Sequence, residues 1–128
     1  MDVMAELKVP GALFVAEDYR GALRILHELW ASVPEPKAET PNAYMFIEYG
    51  VACSLKAGDL DEAWRWVALA PPFREKRHDV GEVEFLIGKV AFAREDMALA
   101  RENFLIAKRK SRGRLLKGAD ERYKQLIR

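Results

Sequence analysis

The stretch Asp59-Leu60-Asp61-Glu62-Ala63 has two relatives in the same chain, Asp18-Tyr19-Arg20-Gly21-Ala22 and Asp96-Met97-Ala98-Leu99-Ala100. The three copies begin 41 and 37 residues apart, by subtraction of the numbers of their first residues. A period between about 20 and 50 residues is the signature of a stacked array of structural units. The chain is therefore expected to contain three related units.

Each copy continues as an amphipathic helix. Its alanine is followed four residues later by a large apolar residue and, three residues further on, by a second apolar residue. Apolar residues at intervals of three and four lie on one face of an α-helix, so each copy predicts a helix with one buried face. The first apolar set is Leu26, Val67 and Phe104, and the second set is Leu29, Ala70 and Ala107.

Extended over the chain, the same periodicity predicts seven helices and no strands. Pairs of antiparallel helices form units at about residues 3–36, 42–72 and 79–110, and a last helix at about 118–127 caps the array. A length of 128 residues is that of one domain. The sequence thus predicts a single all-α domain of three degenerate repeats with a C-terminal capping helix.

Local patterns predict where several helices begin. Thr40-Pro41 is typical of a helix start, because threonine caps backbone N–H groups and proline fits the first helical position. Asp79 and Glu82 have the spacing of a capping box, which predicts a helix start near Val80. Pro10 either begins a short first helix or kinks a longer one.

The composition is that of an ordinary globular protein, with 50% hydrophobic and 32% charged residues. No stretch approaches the roughly 18 to 20 uninterrupted apolar residues of a membrane span, and the first residues do not have the pattern of a signal peptide. The single cysteine, Cys53, fits a reducing compartment. We therefore expect a cytoplasmic protein without a membrane partner.

The overall charge of +1 conceals an asymmetry between the two halves. Residues 1–70 carry 6 Lys/Arg against 11 Asp/Glu, which gives −5, whereas residues 71–128 carry 15 against 9, which gives +6. Summed charge of one sign steers encounters with partners of the opposite sign. Such an asymmetry is also common among solvated surfaces that bind nothing.

Three further features accompany the copies: a small residue midway along the first helix, a Gly-Asp-like turn, and an alanine pattern on the second helix. All three features occur in the second unit, as Gly50, Gly58-Asp59-Leu60, Ala63, Val67 and Ala70, and in the third, as Gly88, Asp96-Met97, Ala100, Phe104 and Ala107. The first unit lacks the glycine and matches at Glu17-Asp18-Tyr19, Ala22, Leu26, Leu29 and Pro34. This pattern resembles the tetratricopeptide repeat (TPR) family. The resemblance covers about residues 3–110 and implies a right-handed array of antiparallel helix pairs.

The resemblance also implies an inner, concave surface, lined by the first helix of each unit, whose exposed residues contact a protein or peptide. Aromatic residues bury much area with few rotatable bonds and make good interface anchors. The alternative for Phe85 and Phe92 is packing against a neighbouring unit or the capping helix, because aromatics at helical spacing are often core. The implied contact residues are Tyr44, Ile47, Val51, Glu82, Phe85, Lys89 and Phe92.

Residues 108–117, called the basic segment below, form the sharpest charge feature. Their cations could neutralise phosphates of a nucleic acid, meet an acidic protein surface, or stabilise the C-terminal end of a helix. Few aromatic residues are interleaved, which argues against a stacking platform for single strands. The cations are Lys108, Arg109, Lys110, Arg112, Arg114 and Lys117, and Arg109, Lys110, Arg112 and Arg114 are the candidates for partner contact.

Residues with catalytic chemistry are few. His27 and His78 lie far apart without metal-ligand spacing, and Cys53 has no evident partner and fits a small core position. Trp64 and Trp66 cannot share one helix face, so one of them should be partly exposed. We expect no enzyme activity, no metal and no cofactor.

Three functional hypotheses remain open from the sequence. The first is a protein- or peptide-binding module that uses the concave surface. The second is an immunity protein that neutralises a bacterial toxin, suggested by the stand-alone module and by a loose resemblance of the tail from Gly113 to Leu126 to proteins of that type. The third is nucleic-acid binding through the basic segment. An open-ended array can in addition dimerise through an uncapped end.

Overall fold

The computed structural model describes residues 1–75 and 80–128, and the regular structure of these residues is helical, without a strand. When α1 and α2 are counted as one interrupted helix, the predicted number of seven helices is confirmed for the described residues. Short 3₁₀ turns lie at Lys37–Glu39, Pro71–Phe73 and Arg114–Leu116. The α-helices are α1 (Val3–Glu6), α2 (Lys8–Val15), α3 (Tyr19–Ser32), α4 (Tyr44–Lys56), α5 (Leu60–Val67), α6 (Glu82–Ala93), α7 (Met97–Ser111) and α8 (Glu121–Leu126).

The chain divides into two compact units, Met1–Ala70 and Pro71–Arg128. In the first unit α2 packs on α3, α3 on α4 and α4 on α5, whereas in the second α6 packs on α7 and α7 on α8. The prediction of an all-helical fold with neighbouring helices in pairs is therefore confirmed. The right-handed repeat arrangement, the single domain and membership of the TPR family stay predictions.

The three copies of the repeated stretch begin at three turns of the same geometry. Before each aspartate stands a residue in the left-handed region, with φ between 63° and 72°. The N–H of each aspartate then donates to the carbonyl five residues earlier, at 2.8, 2.9 and 2.9 Å, which closes the preceding helix as a Schellman motif does. The left-handed residues are Glu17, Gly58 and Glu95.

Each aspartate also starts the following helix. The carboxylates of Asp18, Asp59 and Asp96 accept a hydrogen bond from the backbone N–H three residues later, at 2.9, 3.1 and 3.2 Å. An aspartate in this position stabilises a helix by about 1 kcal/mol. The recurrence of aspartate in the sequence therefore has a local cause, the closing of one helix and the capping of the next.

Two glycines allow close contact within the helix pairs α4–α5 and α6–α7. A methyl group at Gly50 would overlap the indole ring of Trp66, and one at Gly88 would lie 2.6 Å from the ring of Phe104. Both rings are almost fully buried, at 1% and 0% exposure. Each glycine thus makes room for an aromatic ring from the partner helix.

The start of the chain corresponds to the second alternative given for Pro10, a longer helix that the proline interrupts. The interruption lies at Leu7, between α1 and α2, and Pro10 is the third residue of α2. Proline clashes with the carbonyl of the residue four positions earlier, which here is Glu6, the last residue of α1. In the first turn of α2 the missing N–H of proline costs no intrahelical hydrogen bond.

The predicted starts of α4 and α6 need correction. The helix does not begin at Thr40-Pro41 but at Tyr44, because Asn42 has a left-handed φ of 66° that interrupts a helix from Pro41 onward. The helix predicted from near Val80 begins at Glu82, after Gly81 with a φ of 91°. The predicted capping residue Asp79 lies outside the described residues.

In the second unit, α8 covers the pair of α6 and α7. The ring of Tyr123 lies 4.7 Å from that of Phe104, 5.0 Å from that of Phe92 and 6.3 Å from that of Phe85, between ring centroids. Leu116 and Ile127 belong to the same apolar cluster. The last helix therefore closes the core of this unit. Within the described part of the chain, no helix is both long and apolar enough to cross a membrane.

Candidate functional site

The residues of α4 that were implied as part of the concave surface are core residues. Tyr44, Ile47 and Val51 are 2%, 0% and 1% exposed, because α4 packs on both α3 and α5. The expected exposure of these three side chains is wrong. They have almost no surface that a partner could contact.

The implied contact residues of α6 are half-buried. Phe85 and Phe92 pack against Tyr123 of α8, which agrees with the alternative that they contact the capping helix. The ammonium of Lys89 lies 5.2 Å from the centroid of the Phe85 ring, and Glu82 lies 4.0 Å from the guanidinium of Arg114. Partner contact through α6 stays a prediction, and its aromatic rings contribute mainly to the core.

The basic segment is folded as the end of α7 followed by a tight turn. Arg112 and Gly113 are both left-handed, with φ of 53° and 82°, and the N–H of Gly113 donates to the carbonyl of Lys108 at 2.8 Å. Ser111 accepts a hydrogen bond from the N–H of Leu115 at 3.2 Å. Cations at the C-terminal end of a helix are stabilised by the helix dipole. The helix-stabilising role, one of the roles that the sequence suggested for these cations, therefore applies to this segment. It is compatible with a binding role.

Lys110 points away from the other cations of the basic segment. Its ammonium donates to Oε1 of Glu84 at 2.8 Å, and Arg74 Nε donates to the same oxygen at 3.2 Å. Glu84 is only 4% exposed, and a buried carboxylate requires such partners. Lys110 is therefore a structural residue that joins α7 to α6.

Four cations of the basic segment have neither an ion pair nor a side-chain hydrogen bond within the described residues. Lys108, Arg109, Arg112 and Lys117 are exposed, and the salt bridges of this unit go to other side chains. An exposed cation without an intramolecular partner keeps its charge available for a ligand. These four side chains form the centre of the candidate site.

An open cleft of about 290 Å³ lies beside these cations and is called the basic cleft here. Four cations line it, and two of them, Lys124 and Arg128, form ion pairs with Glu121 at 3.9 and 2.7 Å. Sequence reasoning missed the two cations that come from the end of the chain, because only the fold brings α8 next to the end of α7. The lining includes Lys108, Lys117, Lys124 and Arg128, with Leu116 and Ile127 beneath them.

Acidic groups near the site are paired, and Glu121 is paired with two cations of the cleft itself, Lys124 and Arg128. Hydrogen bonds from the Arg122 side chain and from its backbone N–H lower the pKa of Asp120 below the ordinary value of 3.8. Arg128 donates to Glu121 at 2.7 Å. Burial raises the pKa of Tyr123 above its ordinary value of 10.0. Of the four cations of the cleft, Lys108 and Lys117 are therefore the ones without an ion pair within the described residues.

The first unit contains a polar cluster that the sequence did not indicate. Glu62 is 9% exposed and accepts hydrogen bonds from Trp66 Nε1 at 3.1 Å and from Arg65 Nη2 at 2.8 Å. His27 contacts the same carboxylate, and its ring stacks on Trp66 with 4.8 Å between centroids. The cluster ties α3 to α5 and has a structural role.

Charge on Glu62 makes the stability of the fold depend on pH. Burial raises the pKa of this carboxyl, but hydrogen bonds from Arg65 and His27 outweigh burial, and the net pKa lies below the ordinary value of 4.5. A lowered pKa means that the stabilisation is present above about pH 4.5 and is lost as the pH falls through the lowered pKa.

We expect Glu62→Gln to lower the free energy of unfolding by about 1 kcal/mol at pH 7, because the charged partner of Arg65 and His27 is lost. The difference from the native chain should shrink as the pH falls below 4.5. Urea unfolding at several pH values measures it. Glu28→Gln is the control. Glu28 is exposed, and its ion pair with Arg24, at 3.6 Å, is a surface pair of a kind that contributes little to stability. A difference for Glu62→Gln that does not change with pH would contradict the assignment.

The described residues offer no group of three or more metal-ligating side chains. Cys53 is fully buried, and burial raises the pKa of its thiol to about 11, so it is a poor nucleophile at neutral pH. No protein-family model matches the chain, and no match was found among curated proteins or among solved structures.

Proposed function

We propose that the chain is a non-enzymatic binding module that holds an acidic surface of a protein partner through the basic segment and the basic cleft. The observation that carries the proposal is the group of exposed cations Lys108, Arg109, Arg112 and Lys117, which have no intramolecular ion pair within the described residues. Exposed lysine and arginine side chains without an ion pair attract anionic groups and accelerate association with them.

A protein partner is favoured over a single-stranded nucleic acid by the lining of the basic cleft, which contains no aromatic side chain from the described part of the chain. The aromatic rings nearest to the basic cleft, such as that of Tyr123, pack in the core and offer no stacking surface for bases. The narrower hypothesis of an immunity protein stays a prediction about the identity of the partner.

The proposal is tested by capture of partners from an extract of the source cells with the immobilised chain. We expect Lys108→Glu with Arg109→Glu to reduce capture at least about tenfold, because charge reversal in an interface costs several kcal/mol. The control is Arg24→Glu with Lys56→Glu, which changes the net charge equally at exposed sites of the first unit. Circular dichroism should show that both variants are folded.

Two outcomes of this capture experiment contradict the proposal. Equal loss of binding in both double variants would indicate a response to net charge alone. Loss of the captured material after nuclease treatment would indicate a nucleic-acid partner, whose affinity also falls steeply with salt.

A further inference from the structure

Helix α2 carries an apolar face that nothing covers within the described residues. Val9 and Val15 are 58% and 83% exposed, and the helix buries only Pro10. Four of the six exposed large hydrophobic residues, namely Met1, Met4, Val9 and Val15, lie in the first fifteen residues. Apart from Lys8, the residues of α2 are apolar or glycine, and a helix of this kind is normally buried on all sides, so this face lacks its partner.

The exposed residues of α2 form a single stripe. At about 100° per residue, they span an arc of roughly 120° centred on Ala12. Beside the stripe, Gly11, Phe14, Val15, Tyr49 and Ala52 line a groove of about 330 Å³. The stripe, called the α2 stripe here, consists of Lys8, Val9, Ala12 and Val15 together with Ala16, the residue that follows α2.

We infer that the α2 stripe is the interface of a homodimer in which α2 packs antiparallel on α2 of a second copy. The stripe is nearly self-complementary, because Val9 and Val15 lie three residues on either side of Ala12. With a two-fold axis at Ala12, each Val9 faces the partner's Val15. The small side chain of Ala12 allows the helix axes to approach closely, and the surface is isologous, as in most dimers.

The charges at the two ends of the stripe favour this orientation. Lys8 lies at the N-terminal end, and Glu17 follows the C-terminal end of α2. Both are exposed, and neither forms an ion pair within the described residues. An antiparallel pair brings Lys8 near the partner's Glu17, whereas a parallel pair would place like charges together. Charge and apolar pattern thus select the same arrangement.

Sedimentation velocity over a concentration series tests the dimer. We expect the native chain to dimerise, and Val15→Glu to weaken association at least about 100-fold, because it places charges in the apolar contact. The variant should fold normally, since Val15 is exposed in one copy. Met97→Glu, at an exposed apolar residue of α7, is the control and should dimerise like the native chain.

The orientation is tested by charge exchange. Lys8→Glu and Glu17→Lys should each weaken the dimer by about 2- to 10-fold, and the double variant should regain most of the native affinity. A native chain that stays monomeric at every concentration would overturn the proposal and leave the stripe to a different partner. A dimer insensitive to Val15→Glu, or a double variant weaker than either single one, would overturn it as well.

Discussion

Replacement of Trp66 by alanine should lower the free energy of unfolding by about 3 to 5 kcal/mol, the range for large aromatic residues in a core. The indole is 1% exposed, stacks on His27 and meets Trp30 edge to face, with 6.2 Å between centroids. Its N–H also donates to the buried carboxylate of Glu62. The alanine variant therefore leaves a cavity and removes a hydrogen bond from a buried charge.

Trp64 provides the matched control, since it is the same residue type two positions away on α5 and only half-buried. We expect Trp64→Ala to cost less than half as much as Trp66→Ala, because less of the side chain leaves the core. Urea unfolding followed by circular dichroism measures both. Equal losses for the two variants would contradict the assignment of Trp66 to the interior of the first unit.

Replacement of Gly50 or Gly88 by alanine should destabilise the chain by about 1 to 3 kcal/mol through overpacking. Alanine is the better helix former by about 1 kcal/mol, so the sign depends on whether the facing ring can move. Trp66 and Phe104 are buried on all sides, and a methyl group at either glycine would overlap the facing ring. Overpacking should therefore exceed the gain in helix propensity.

Gly11→Ala is the control for these glycines, because it lies in α2 and an added methyl group would meet Tyr49 at an ordinary distance of 3.9 Å. It should stabilise the chain by about 0.5 to 1 kcal/mol.

A double-mutant cycle sharpens the test for Gly50. In a Trp66→Leu background, Gly50→Ala should cost at least about 1 kcal/mol less than in the native chain. Additive effects would show that ring and glycine are not in contact.

The sequence was sufficient to predict the helices and the turns between them, because these depend on local chemistry. The repeated aspartate was expected at turns and is found there, with the same capping hydrogen bond in all three copies. One of the two tryptophans was expected to be partly exposed, and Trp64 is half-buried whereas Trp66 is buried. The prediction of a helix start at Thr40-Pro41 was wrong. Asn42 takes a left-handed φ, which asparagine tolerates better than most residues.

The candidate site was only partly predictable, because exposure depends on which helices pack together. The resemblance to the TPR family implied a surface position for Tyr44, Ile47 and Val51, but α4 packs on both α3 and α5 and buries these side chains. The basic segment was recognisable from charge alone. The inward turn of Lys110 toward Glu84 and the approach of Lys124 to the basic cleft depend on tertiary contacts.

Lysine footprinting of the captured complex tests the binding surface most directly. The chain alone and the chain with its partner are acetylated, and the modification of each lysine is quantified by mass spectrometry. Lys108 and Lys117, which line the basic cleft, should be protected in the complex, whereas Lys56 of the first unit should be modified equally in both samples. Protection of Lys56 with unchanged modification of Lys108 and Lys117 would contradict a partner held at the basic segment.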